Sequence, residues 1–196
     1  MSLPEILISS FILILASGAL WNIQRDFSSS NKYFSDSLKA QEEARRFFKT
    51  ISAEMRSLSP SSTGAYAIEQ ASSTSIVFYN DIDDDQLKER LHYYLDGTIL
   101  RKGVTKPTGV PLSYNLNSET LQEILHDLTN ATTSTPFFSF YDSSYAGTST
   151  PLAEPITVIS VRLIKMTVVI DADATKPPGP STLTTQVSPR NIKDNL

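Results

Sequence analysis

The chain opens on an apolar run. Positions 6–21 read Ile-Leu-Ile-Ser-Ser-Phe-Ile-Leu-Ile-Leu-Ala-Ser-Gly-Ala-Leu-Trp and carry no charge. That is slightly short of the roughly 20 residues that cross a bilayer as a helix. Leu3 and Pro4 extend it, and tilt or local thinning covers the remainder. Trp21 stands where an interfacial aromatic belongs, with Arg25 just beyond it. After Arg25 the composition turns polar but the helical period persists. Phe34, Leu38, Ala44, Phe48, Ile51, Met55 and Leu58 recur at steps of three, four or their sums, and Phe47 widens the stripe. Glu42 can pair with Arg45 and Arg46 on the same surface. Ser59-Pro60 is the stop signal, because the residue before proline avoids the helical region. The pattern predicts one long helix over residues 5–58, on the order of 80 Å at 1.5 Å per residue. Its residues 1–27 form an apolar half, and residues 28–58 form an amphipathic half covered by a head.

Beyond residue 59 the period shortens to that of strands. Positions 75–79, 89–95 and 98–101 are β-branched or aromatic runs, and Asp96-Gly97 is a two-residue hairpin signal of type I′. Positions 80–86 then form the loop of the preceding hairpin. Asn117-Ser118-Glu119 predicts a short helix to about Leu128, capped by Asn117 or Ser118. Positions 137–141 read as a strand. Positions 155–170 form a long β-branched run, and 183–187 can pair with it across Pro177-Pro178-Gly179-Pro180. The expected fold class is α+β, a long N-terminal helix packed against an antiparallel β-sheet head. The expected domains are the helix, 1–58, and a β-rich head, 59–196. Strand order does not follow from the pattern.

Composition narrows the chemistry. The formal net charge is −4, which argues against nucleic acid as a partner, since phosphate neutralisation needs a basic face. There is no cysteine, hence no disulfide framework or thiolate chemistry. No Gly-x-Ser-x-Gly elbow, HExxH pair or phosphate-binding glycine loop is present. The expectation is therefore a non-enzymatic protein with no catalytic residues and no cofactor. His92 lies beside Tyr93 and Tyr94 in an expected strand. His126 lies beside Asp127 in the expected short helix, and neither histidine has a partner at metal-ligand spacing. The candidate metal site is the alternating set Asp81, Asp83 and Asp85, whose hard oxygens suit calcium. An EF-hand loop needs Gly at its sixth place and Glu at its twelfth. Gln86 and His92 stand there instead, so that reading fails. The expectation is a solvated acidic hairpin loop that binds calcium weakly or not at all. Asn130-Ala131-Thr132 matches a glycosylation acceptor by pattern alone. The polar segment 188–196 is expected either to fray or to dock on a neighbouring subunit.

Glu5 is the only charged residue before Arg25. A cleavable secretory signal would carry basic residues ahead of the apolar run, and none stands there. A plain membrane anchor does not explain a carboxylate at the edge of an apolar helix, where it is costly unless neutralised. In the first turn a negative charge also suits the helix dipole. Met1-Ser2-Leu3-Pro4-Glu5, followed by a long apolar helix, resembles the mature N-terminus of type IV pilins and type II secretion pseudopilins. Pro4 departs from the usual aliphatic residue and is tolerable in a first helical turn.

The resemblance is strongest over residues 1–58. It implies a short basic leader removed after a glycine, with Met1 as the N-methylated first residue. It implies a subunit held in the bacterial cytoplasmic (inner) membrane, then extracted by pilus assembly machinery into a surface filament. That filament is a helical homo-oligomer packed through residues 1–27 and serves adhesion, motility, uptake or secretion. Met1 and Glu5 are the implied assembly residues, Glu5 neutralising the N-terminal ammonium of an adjacent subunit. Residues 16–24 are the stretch expected to unwind in such a filament, Ser17-Gly18 being poor helix formers. A major pilus subunit, a minor tip pseudopilin, and a membrane-anchored binding or sensory head that never polymerises all remain open at this point.

Overall fold

In the computed structural model, residues 3–171 and 179–192 are described, apart from the side chains of Asp26 and Ser29. Helix α1 spans Leu3–Arg56 without a break. It passes through Ser17-Gly18 and the serines at 28–30 as regular α-helix. The Ser17 hydroxyl donates to the Leu13 carbonyl at 2.8 Å, so it follows the helix rather than competing with it. The helix stops ahead of Ser59-Pro60, where the sequence places its end.

The chain divides into two compact units, Met1–Lys39 and Ala40–Leu196. The division therefore falls inside α1 and not at its end. Its physical cause is the burial pattern. Ala44, Phe47, Phe48, Ile51 and Met55 are buried, whereas Phe34 and Leu38 are exposed. The expected head-packing half, 28–58, is thus shortened at its start, and residues 40–56 belong with the head.

In the second unit, five strands form an antiparallel sheet in the order β1-β2-β3-β4-β7. They are β1 (Ile68–Ala71), β2 (Ser75–Asn80), β3 (Glu89–Asp96), β4 (Ile99–Thr105) and β7 (Thr120–Leu125). The β3–β4 register pairs Asp96 with Ile99. The two turn residues are therefore Gly97 and Thr98, one position later than the sequence suggested. Only Gly97 of the two has positive φ, at 61°, which is the demand of a type II′ turn rather than type I′. The expected helix from Asn117 to Leu128 is absent. Residues Leu116–Ser118 make a single 3-10 turn, capped by the Asn115 side chain, and β7 follows as an edge strand paired to β4. The helix formers Leu121, Gln122 and Glu123 are overruled by the open edge of β4, whose backbone groups need partners.

A short ribbon pairs β5 (Pro107–Thr108) with β6 (Ser113–Tyr114). A second sheet has the order β10-β9-β8, from β8 (Phe138–Tyr141), β9 (Leu163–Ile170) and β10 (Ser181–Val187). The expected pairing of the last two strands is present, from Ser181↔Ile170 to Val187↔Ile164. Most of their connection, including Pro177 and Pro178, lies outside the described residues.

The core lies between residues 44–58 and the inner faces of the sheets. One face of the five-stranded sheet presents Ile76, Phe78, Leu91, Tyr93 and Leu100. Phe47 packs against Tyr93 at 6.1 Å and Phe137 at 6.2 Å between ring centroids, and Phe78 stacks on Tyr93. Such ring pairs add to the area they bury. The helix end is satisfied by the head. The Asn80 amide donates to the Glu54 carbonyl at 3.2 Å, Arg190 N–H to Arg56 at 3.3 Å, and the Asn191 amide to Leu58 at 3.0 Å. Ile192 is buried. Residues 190–192 thus dock on their own helix end rather than fraying, while residues 193–196 lie outside the described residues.

Candidate functional site

Among the described residues, the apolar half of α1 and the acidic β2–β3 loop are the leading candidates for making contacts or binding ions, and each belongs to one unit. The first is the apolar half of α1. Leu3, Ile6, Leu7, Ile8, Phe11, Ile12, Leu13, Ile14, Leu15, Leu20, Trp21, Ile23 and Phe27 are all exposed, Trp21 at 73%. They face every direction around the helix, and a helix apolar all round demands apolar surroundings. The segment is long and apolar enough to cross a membrane. Its polar side chains are already adapted to such a medium. The Ser9 hydroxyl donates to Glu5 carbonyl oxygen at 2.7 Å and Ser10 to Leu7 at 3.0 Å, which removes the need for water. Glu5 lies in the first turn. Met1, its implied assembly partner, lies outside the described residues.

The second feature is the acidic β2–β3 loop. Asp81 organises it: one carboxylate oxygen accepts from Asp85 N–H at 3.1 Å, the other from Gln86 N–H at 3.0 Å and the Lys88 ammonium at 2.8 Å. The Lys88 hydrogen bond, aided by its charge and the two backbone donors, holds the Asp81 carboxyl below its ordinary range. Of the expected trio, the structure brings Asp81 and Asp83 together but replaces Asp85 with Glu89: the three carboxylates offer oxygens within 4.8 Å of one another. Asp85 instead accepts from Leu87 N–H at 2.8 Å. Lys106 pairs with Asp83 and lies 3.9 Å from both Asp85 and Glu89.

Glu89 and Lys106 are the residues that sequence reasoning missed. A signal existed in the strand phase. Glu89 is in step with Leu91 and Tyr93, so it points to the buried face, where an acid needs a reason to be.

The outer face of the five-stranded sheet holds a separate ionic network. Arg90 donates to Glu69 at 2.8 and 3.1 Å, and Tyr79 hydroxyl donates to Glu69 at 2.6 Å. Burial raises the Glu69 carboxyl, but the Arg90 and Tyr79 hydrogen bonds outweigh it and leave it lowered. Glu119 lies 3.8 Å from Arg90 and 3.5 Å from His92. His92 is lowered by burial, partly offset by Glu119. His126 follows β7 rather than lying on a helix and meets Glu123 at 3.2 Å. Asn130, the glycosylation match, is 1% exposed. Its amide donates to Thr135 and Thr167 carbonyls and its oxygen accepts from Val169 N–H, so it is a structural bracket and is closed to a glycosyl transfer.

Compared with known proteins, the chain matches no family model and no curated protein sequence. The geometry is therefore the ground for a functional reading.

Proposed function

We propose that this protein is a non-enzymatic filament subunit of the type IV pilin or pseudopilin kind. It waits in a membrane by the apolar half of α1 and polymerises through that half into a surface filament. The observation that carries the reading is a single continuous helix whose apolar residues are exposed on all sides before Phe27 and seated under a β-sheet after Ala44. One helix serving two apolar environments suits a subunit that must exchange lipid for neighbouring helices. The burial is comparable in both, because lipid tails and apolar side chains are similar solvents.

Glu5 is the second support. Packed among apolar helices, its carboxylate requires a cation, and the amino terminus of a neighbouring subunit supplies one. In a low-dielectric core, removing one partner of such a pair strands the other. The test expresses the chain with a pilus assembly system and measures the sheared surface fraction and the membrane fraction. Glu5→Ala is expected to stay in the membrane and to lose most surface filaments. Filament yield equal to wild type would remove Glu5 from assembly. Wild-type protein that never leaves the membrane would instead identify an anchored head.

A further inference from the structure

We propose that the solvent face of α1 within the head is a docking strip for the β2–β3 loop of a second copy of this chain. This contact rests on the filament reading above and joins neighbouring heads. The strip consists of Arg45, Lys49 and Arg56. Steps of four and seven put these three cations on one side of a helix, and all three are exposed. Arg190, also exposed, extends the strip, because its N–H is bonded to the Arg56 carbonyl at 3.3 Å. Among the described residues no acid pairs with any of the four. The neighbouring acids of α1 are engaged or turned away. Glu42 holds Arg46 and Glu54 holds Lys102, while Glu43 lines the groove that Phe47 and Gln122 share on another side of the helix. In a chain of formal charge −4, four unpaired cations in one strip call for an acidic partner.

The chain itself carries the matching surface. At the β2–β3 tip, Asp83, Asp84 and Asp85 are exposed and share one ammonium, that of Lys106. Two carboxylates are therefore in excess after the loop's own ion pairs are counted, and Asp84 has no bonded partner among the described residues. The loop is held in shape by Asp81, which accepts from Asp85 and Gln86 N–H. Asp84 and Gln86 are fixed in the left-handed region, with φ of 58° and 71°. Carboxylates presented on a preformed loop lose little freedom when they dock. Two different patches that meet between copies make a heterologous contact, the kind that builds an open helical polymer. Opposite charges steer that encounter and set its register.

The test expresses the full chain with a pilus assembly system and examines the sheared surface fraction. The chain has no cysteine, so Lys49→Cys combined with Asp84→Cys supplies the only thiols. Oxidised filaments of the pair are expected to give a ladder of disulfide-linked oligomers on a non-reducing gel, whereas each single variant gives dimers at most. Lys49→Glu is expected to lower the sheared fraction several-fold and to leave the membrane fraction and the Tm of the head unchanged. Asp84→Lys should act in the same way, and the two together should restore most of the yield. Wild-type filaments whose cysteine pair gives no ladder, or whose yield is untouched by Lys49→Glu, would overturn this contact and leave the filament reading standing. A Lys49→Glu loss that Asp84→Lys does not repair would assign the strip to a different acidic partner and remove the loop as its occupant. Should Asp84→Lys lower the Tm, the cysteine pair decides. A wild-type chain that forms no filament overturns the filament reading and this contact with it.

Discussion

The Lys102 ammonium lies 2.6 Å from Glu54 Oε1, joining the inner face of β4 to helix α1 beneath the sheet. The same carboxylate accepts from the Tyr93 hydroxyl at 2.6 Å through its other oxygen, and the ammonium sits 5.3 Å from the Tyr93 ring centroid. Both charged side chains are largely buried, and each leaves the other stranded if removed. Glu54→Ala is expected to cost about 3 kcal/mol of unfolding free energy, whereas Glu54→Leu with Lys102→Met should recover most of that loss. Urea unfolding of wild type, Glu54→Ala and the Glu54→Leu, Lys102→Met double variant measures it. A Glu54→Ala protein as stable as wild type would show that the pair is solvated.

Gly103 makes room for Glu119. A methyl group built on Gly103 would overlap the Glu119 carboxyl group, so Gly103→Ala must push that side chain away from His92 and Arg90. The expected cost is on the order of 1–2 kcal/mol, the value of a displaced half-buried carboxylate that neighbours two basic side chains. In a Glu119→Ala background the same substitution should cost much less, because the collision is gone. Equal costs in both backgrounds would locate the effect in the β4 backbone instead.

Acid should weaken the head in two stages, and the signs agree. His92 is lowered from its ordinary 6.5, chiefly by burial, so the unfolded chain binds its proton first and stability falls as pH drops below about 6.5. Glu69 is lowered from its ordinary 4.5 because the Arg90 and Tyr79 hydrogen bonds outweigh burial. Its contribution is present above 4.5 and is lost as pH falls through its folded value. Thermal unfolding from pH 8 to pH 3 is expected to be flat at first, to decline below pH 6.5 and to steepen below pH 4.5. His92→Gln should remove the first decline and leave the second.

The apolar half of α1 separates two kinds of failure. Leu13→Glu places a charge at the middle of the uncharged run and should prevent both membrane retention and filament formation, since a central charge costs about 2.5–3.5 kcal/mol on insertion scales. Glu5→Ala should leave retention intact and affect only assembly, and Glu5→Gln should be milder where hydrogen bonding matters more than charge. Fractionation and electron microscopy of the three variants distinguish the outcomes. Identical behaviour of all three would remove any special role from Glu5.

Local pattern was enough wherever a residue's role depends on its near neighbours in the chain. The apolar run before Trp21, the stripe from Ala44 to Leu58, the stop at Ser59-Pro60 and the β2–β3–β4 meander all follow from periodicity and turn chemistry, which act over a few residues. The acidic loop was visible for the same reason, because its aspartates are consecutive or alternate. The stripe was read too far toward the N-terminus. Phe34 and Leu38 keep the helical spacing of buried residues, yet spacing states only which residues share a face, not whether another surface covers them.

The sequence by itself determined the long helix, its two chemical halves and an α+β fold, because helix period, apolar run length and turn residues are local properties of the chain. Tertiary structure decided where burial begins along α1, that Thr120–Leu125 becomes an edge strand, and that the buried partner of Asp81 and Asp83 is Glu89 rather than Asp85. Each of those outcomes depends on groups distant in sequence. Strand β4 supplies the backbone partners that overrule the helix propensity of β7. The register of β3 fixes Glu89 on the inner face, and its pairing with β4 sets Lys106 beside it. Pairing of this kind is set by the simultaneous satisfaction of backbone hydrogen bonds and burial across the sheet, which no short stretch of the chain contains.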